Sequence, residues 1–348
     1  MIEPVTDDSR QQTKGGNETQ TVPPASSVSR RAQRRERLAV IVQGQGLFAM
    51  AILIGVYFSI ESPFFLTWSN ALTVGATTAA LGVMAVAQTF LIVSGGIDVS
   101  VGSVVAISSV SLATMLEHGF GFWPAALLAV GLGAVVGLIN ALLVVVLTIN
   151  PLITTLGTLS IFQGLALALT GGQTQVVNKP ELSFIGIGKV FWLPTPLVIF
   201  FVIFLMAVIV ERYTAWGRSV YAIGGNPEAA RLSGLHVRST QTLLYVLTGA
   251  SGGLAGVLVT AQLAAASPQV GSTYLLSVVT AVILGGASLA GGRGTVIGTL
   301  VAVAILGMLS DGFALLLWSS SAQTIALGVA LIVAVLLDQT TRRLRGFS

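Results

Sequence analysis

The sequence predicts an all-α, polytopic helical membrane protein, and three observations lead there. Hydrophobic residues make up 54% of the 348 and charged residues only 9%, against about 25% charged in an ordinary soluble domain. Apolar runs long enough for a helix to cross a hydrocarbon layer roughly 30 Å thick recur from residue 38 onward. Glycine is abundant, with 40 residues, and small residues fall four apart inside the runs, a spacing that lets helix backbones approach closely.

Residues 1–37 are rich in Ser, Thr, Gln and Gly, carry no apolar periodicity, and end in Arg30, Arg31, Arg34, Arg35 and Arg37. That composition predicts a disordered cytoplasmic tail with a basic collar. The run 38–60 is longer than a signal-peptide core and reads as an uncleaved first helix. Further spans are predicted at 71–93, 99–116, 123–147, 151–170, 193–210, 240–262, 272–289, 295–313 and 322–338, giving about ten, with 339–348 a short cytoplasmic tail. Only helices or closed barrels satisfy the backbone in lipid. The pairs Gly133 and Gly137, Gly249 and Gly253, and Gly252 and Gly256 are expected to be packing seams.

Charge fixes the expected orientation. With the amino terminus inside, all but Lys179 and Lys189 of the 17 Lys and Arg fall on the cytoplasmic side, so both termini are expected there. The net charge of +4 thus marks a membrane face and implies no nucleic-acid partner. Absence of Cys excludes disulfides and thiolate chemistry, and His118 and His236 lie far apart in predicted loops, so no metal site is expected. The Gly-rich segment 284–294 lacks the Lys-Ser/Thr of a nucleotide-phosphate loop; it predicts a tight cytoplasmic turn, with ATP bound elsewhere and no cofactor. A pattern shared by 95–104 and 285–296 hints at an internal repeat.

The cytoplasmic loop 211–239 is the most informative segment. Within it Asn226 can cap a short helix, Pro227 suits the first helical position, Glu228 complements the positive helix end, and Gly234 suits a left-handed exit. A loop that only connects two spans has no use for such definite boundaries, so a docking surface is expected, with an ordinary surface helix as the alternative.

Glu228-Ala229-Ala230, three further residues, then Gly234 resembles the coupling-loop motif of permeases in ATP-binding-cassette importers. Ser94–Ser103, Asn150–Thr158 and Leu284–Gly294 are similar to the ribose, xylose and arabinose permeases within the superfamily of branched-chain amino acid and sugar permeases. The resemblance runs from about residue 38 to 338 and implies a transmembrane permease domain of a bacterial inner membrane that performs no catalysis itself. It further implies a second permease subunit, expected to be an identical copy, a cytoplasmic ATP-binding-cassette ATPase on the coupling loops, and a periplasmic or lipid-anchored sugar-binding protein. Asn226, Pro227, Glu228, Ala229, Ala230, Arg231 and Gly234 are then the expected ATPase contacts.

Pathway candidates are polar residues in apolar context. Asp98 sits between two closely spaced spans, where an intramembrane carboxylate is a functional candidate, although it could simply cap a helix beginning at Val99. Ser100 lies beside it. Asn150 before Pro151 predicts a capped helix start, with Thr154 and Thr158 on one face; neutral hydroxyls and amides suit a neutral, hydroxyl-rich solute. Thr hydroxyls can equally bond back to their own helix. Gln88, Asn140, Gln163 and Gln262 are further candidates, each also able to join helices.

The resulting expectation is import of a simple sugar, a pentose or similar monosaccharide, by ATP-driven alternating access. The alternatives are a branched-chain amino acid permease of the same superfamily, an ion-coupled secondary transporter, for which the spans offer almost no buried ionisable sites, and a membrane scaffold.

Overall fold

The computed structural model describes residues 46–326 together with 328, 329, 332 and 336. The basic tail expected over 1–37, the first residues of the run 38–60, most of the run 322–338 and the tail 339–348 lie outside the described residues. The described chain is almost wholly helical. Helix α1 covers Gly46–Glu61, followed by α2 (Trp68–Thr77), α3 (Ala79–Val93), α4 (Val101–Glu117), α5 (Phe122–Ala141, continued by a π turn over Leu142–Val146) and α6 (Pro151–Thr170). Then come α7 (Pro180–Ile187), α8 (Thr195–Tyr213), α9 (Ala215–Gly225), α10 (Pro227–Leu232), α11 (Val237–Leu263), α12 (Ser272–Leu284) and α13 (Val296–Leu315).

By length and composition, five of the described helices can cross a membrane: α5 with its π turn, α6, α8, α11 and α13. The bent pair α2 and α3 would make a sixth if taken as one broken span, while α1, α4 and α12 are shorter apolar helices. The span expected at 71–93 is therefore not one rod. It bends by 53° at Thr78, where the Thr78 hydroxyl bonds back to the Val74 carbonyl and Gln262 of α11 donates to the Ala76 carbonyl at 2.6 Å. A side chain supplied from another helix thus occupies a carbonyl released at the break, a recognised cause of sharp kinks.

Buried α11 is the central post, packed against α3, α4 and α5. Its crossing with α5 depends on glycine: a methyl added at Gly137 would lie 2.2 Å from the Tyr245 carbonyl oxygen, and one at Gly133 2.4 Å from that of Gly249. The two backbones touch, which no larger residue permits. Helices α6 and α8 are on the periphery and leave most of their apolar surface uncovered within the chain, as expected where lipid or a partner is the solvent.

At one end of the bundle, the loops form two short strand pairs. Strand β1 (Gln175–Val176) pairs antiparallel with β4 (Ala265–Ala266), while β2 (Lys189–Val190) pairs with β3 (Leu193–Pro194) around Phe191 and Trp192. At the other end, α3 and α12 finish alike. Gly96 N–H donates to Leu91 and Ala287 N–H to Val282, with Gly95 and Gly286 in the left-handed region. These shared helix ends align Gly95 with Gly286, one residue away from the register the sequence pattern suggests, because the left-handed residue defines where each helix stops.

Candidate functional site

The break between α3 and α4 holds a fully buried carboxylate. Asp98 Oδ1 accepts from the Ser100 amide at 2.8 Å and the Ser100 hydroxyl at 2.6 Å. Helix α4 begins at Val101, with Ser100 as the boundary residue. Asp98 therefore does not cap a helix starting at Val99; it closes a turn just before the helix, where the positive end of α4 favours a negative charge.

Asn140, at the end of α5 and just before its π turn, completes the cluster. Its Nδ2 donates to Ser100 Oγ at 2.8 Å and to Asp98 Oδ2 at 3.3 Å, while its Oδ1 accepts from the Thr158 hydroxyl of α6 at 2.8 Å. Gln88 of α3 donates to the Asp98 carbonyl at 3.1 Å, and its own Oε1 is buried without a partner. Tyr245 of α11 donates to the neighbouring Ile97 carbonyl at 3.2 Å. Five helices thus meet at one buried polar knot whose carboxyl group is held by neutral donors, an arrangement that specifies the packing.

Of the pathway candidates, Gln88, Asp98, Ser100 and Thr158 come together, with Asn140 at their centre. The others do not join them. Asn150 is exposed and occupied in capping α6, accepting from the Leu152 and Ile153 amides. Thr154 is buried, its hydroxyl without a partner. Gln163 donates to the Pro268 carbonyl at 2.7 Å, joining α6 to the loop after β4. Tyr245 was not a sequence candidate; the available signal was a lone tyrosine in an apolar span, since a buried hydroxyl requires a partner.

A second arrangement lies between α8 and α11. The loop expected over 211–239 is shorter than that and contains two helices, α9 and α10, because α8 continues to Tyr213 and α11 starts at Val237. Asn226 caps α10 through the Glu228 and Ala229 amides at 3.1 and 3.0 Å, with Pro227 in the first turn. Gly234 leaves the helix at φ +84°. Asn226, Pro227, Glu228, Ala229, Arg231 and Gly234 are exposed, whereas Ala230 is buried and anchors the helix. Glu228 and Arg231 pair at 2.6 Å on the outer face, and that hydrogen bond holds the Glu228 carboxyl below its usual range. Leu232, three-quarters exposed, adds an apolar contact point beside them. At the opposite end of α4, a cavity of about 390 Å³ is lined by Glu117, Gln175, Asn178 and Lys179 over an apolar floor that includes Leu116 and Val177.

Among the described residues no group of three or more His, Asp or Glu could hold a metal. Comparison with known proteins now supplies the family. Residues 70–337 match the family model described as branched-chain amino acid transport system / permease component. The chain is 37% identical over 309 residues to the ribose import permease protein RbsC of Bacillus subtilis (strain 168), covering 88% of this chain and 96% of that protein. It is 36% identical over 304 residues to RbsC of Escherichia coli (strain K12), covering 86% and 94%. Identity is 35% over 295 residues to the autoinducer 2 import system permease protein LsrD of Photorhabdus laumondii subsp. laumondii, covering 83% and 89%. No solved structure gives a significant match. With residues 70–337 matched by the family model and a relative 37% identical over 309 residues, the chain belongs to the family of permease components of ATP-binding-cassette import systems for branched-chain amino acids and sugars.

Proposed function

We propose that this chain is the membrane-spanning subunit of an ATP-driven sugar importer and moves a small neutral monosaccharide by alternating access. The observation that carries the proposal is the α9–α10 pair. A capped helix with an ionic pair and an exposed leucine on its outer face has the form of a docking surface, and the family in which it occurs contains import permeases. The docked partner is an ATP-binding-cassette ATPase, and Glu228, Arg231 and Gly234 shape the contact. A second copy of the chain completes the pathway, a binding protein delivers the sugar, and both termini face the cytoplasm.

The choice of a sugar rests on two supports. The relatives at 36% and 37% identity are ribose import permease proteins. The buried knot also holds one carboxyl group and no cationic side chain, so it has no counterpart for both charges of an amino acid. Uptake into vesicles carrying the permease, its ATPase and its binding protein tests both points. Labelled ribose should accumulate only with ATP and the ATPase present. Accumulation driven by an ion gradient alone overturns the proposal, while competition by leucine or autoinducer 2 in preference to pentoses redirects the substrate.

A further inference from the structure

The junction beneath α10 is built more tightly than a connecting loop requires. Tyr221 of α9 directs its hydroxyl between the Glu211 carboxylate, at the end of α8, and the Gly294 carbonyl, 2.8 Å away, so that its single proton is shared by two acceptors. The same carboxylate accepts from the Val296 amide at 3.2 and 3.3 Å. An anion therefore sits on the first residue of α13, where free amides and the helix dipole favour it. Burial, reinforced by the Glu211 carboxylate, pushes the Tyr221 phenol well above its usual range, so it remains a donor at physiological pH.

The neighbouring backbone is equally close. A methyl group on Gly224, the penultimate residue of α9, would meet the Val93 carbonyl oxygen at 1.7 Å and the Gly292 nitrogen at 2.5 Å. Gly292 itself donates to that Val93 carbonyl at 2.7 Å. Trp216 packs on Phe90 with ring centres 5.9 Å apart. Helix α9 thus touches the end of α3 and the Gly-rich turn before α13 at once, and Val93 is only five residues from Asp98.

We propose that Tyr221 and Glu211 are positioning residues that lock α9 to the start of α13, so that movement of α10 reaches both glycine turns as one rigid displacement. The inference rests on the reading of α10 as the ATPase dock. Its energetic basis is that apolar packing of buried Val220 and Ile223 holds α9 in the bundle, while two donors on one buried carboxylate, the Tyr221 hydroxyl and the Val296 amide, add the directional restraint.

The test uses vesicles with the full-length permease, its ATPase and its binding protein, and compares Tyr221→Phe, Glu211→Gln and Glu211→Leu. Phenylalanine keeps the ring and removes the hydroxyl. Glutamine keeps one acceptor oxygen for Tyr221 and Val296 and removes the charge. The expected result for Tyr221→Phe is unchanged ATPase binding, an unchanged KM for loaded binding protein, and about tenfold less sugar moved per ATP, the factor expected of one hydrogen bond to a charged group. Glu211→Leu should behave likewise, whereas Glu211→Gln should stay within about twofold of the parent protein. Parent-level uptake per ATP in Tyr221→Phe, or a Glu211→Gln defect as deep as that of Glu211→Leu, overturns the lock. Loss of ATPase binding by Tyr221→Phe also overturns it, because the hydroxyl would then shape the dock itself. If Tyr221→Phe fails to fold, shown by size-exclusion chromatography and melting, the comparison of Glu211→Gln with Glu211→Leu still decides. A parent protein that binds no ATPase removes the docking proposal instead, an outcome visible before any variant is compared.

Discussion

Asn140 and Asp98, 42 residues apart, share a buried hydrogen bond from Nδ2 to Oδ2 at 3.3 Å, and the same amide nitrogen reaches Ser100 Oγ at 2.8 Å. With its oxygen occupied by Thr158, Asn140 has both ends of its side chain in use. The carboxylate is consequently held by groups from two chain segments, neither of which can move without breaking bonds to the other.

Asp98→Asn should retain the fold and lose transport. Asn is isosteric and can still accept from Ser100, but its NH2 replaces the Oδ2 acceptor that faces the Asn140 amide nitrogen. Uptake per folded molecule should fall by about tenfold while abundance in the membrane stays within about twofold. Measuring both on one preparation separates the two effects, and equal transport per molecule would leave Asp98 a purely structural role.

Gly234→Val and Glu228→Lys should both insert and assemble, yet lose co-purification with the ATPase and sugar-stimulated ATP hydrolysis. Valine at φ +84° costs at least about 1 kcal/mol and redirects the chain leaving α10. Lysine at 228 places a positive charge at the positive helix end and breaks the pair with Arg231. Full ATPase binding by both variants would argue against the dock.

The α5–α11 seam gives a pair of opposite expectations. Gly137→Leu forces a side chain into the Tyr245 carbonyl and should abolish folded protein, since overpacking of 1–3 kcal/mol is typical even where neighbours can shift. Gly131→Ala on the same helix meets nothing within 4 Å and should raise the melting temperature slightly, by the roughly 1 kcal/mol difference in helix propensity. Thermal melts in detergent distinguish the two.

Gln262→Leu should loosen the bend between α2 and α3. The Ala76 carbonyl, half-buried at the bend, loses its 2.6 Å donor, and a hydrogen bond of this kind is worth about 0.5–1.5 kcal/mol. Faster amide exchange around Thr78 with little change elsewhere is the expected signature, and unchanged exchange there would mean that the bend is held by the α2–α3 backbone alone.

The amino-acid sequence by itself determined the features that depend on near neighbours or on composition. Apolar runs of bilayer length gave the helical membrane class. Asn150 with Pro151, and Asn226 with Pro227, marked two helix starts to the residue, because a cap acts on amides only two or three positions ahead. The four-residue glycine spacing on α5 and α11 identified the seam before its partners were known. Tertiary structure alone decided where side-chain polar groups find each other. Gln88, Asn140, Gln163 and Gln262 look alike in sequence, each one amide in an apolar helix, yet two join the Asp98 knot, one holds a loop and one secures the bend at Thr78. Tyr221 and Glu211 stand ten residues apart on different helices and meet only because α8 and α9 fold back against the start of α13. A buried amide or hydroxyl requires a partner, but which one it finds depends on how helices distant in sequence cross, and that is set by the packing of whole faces.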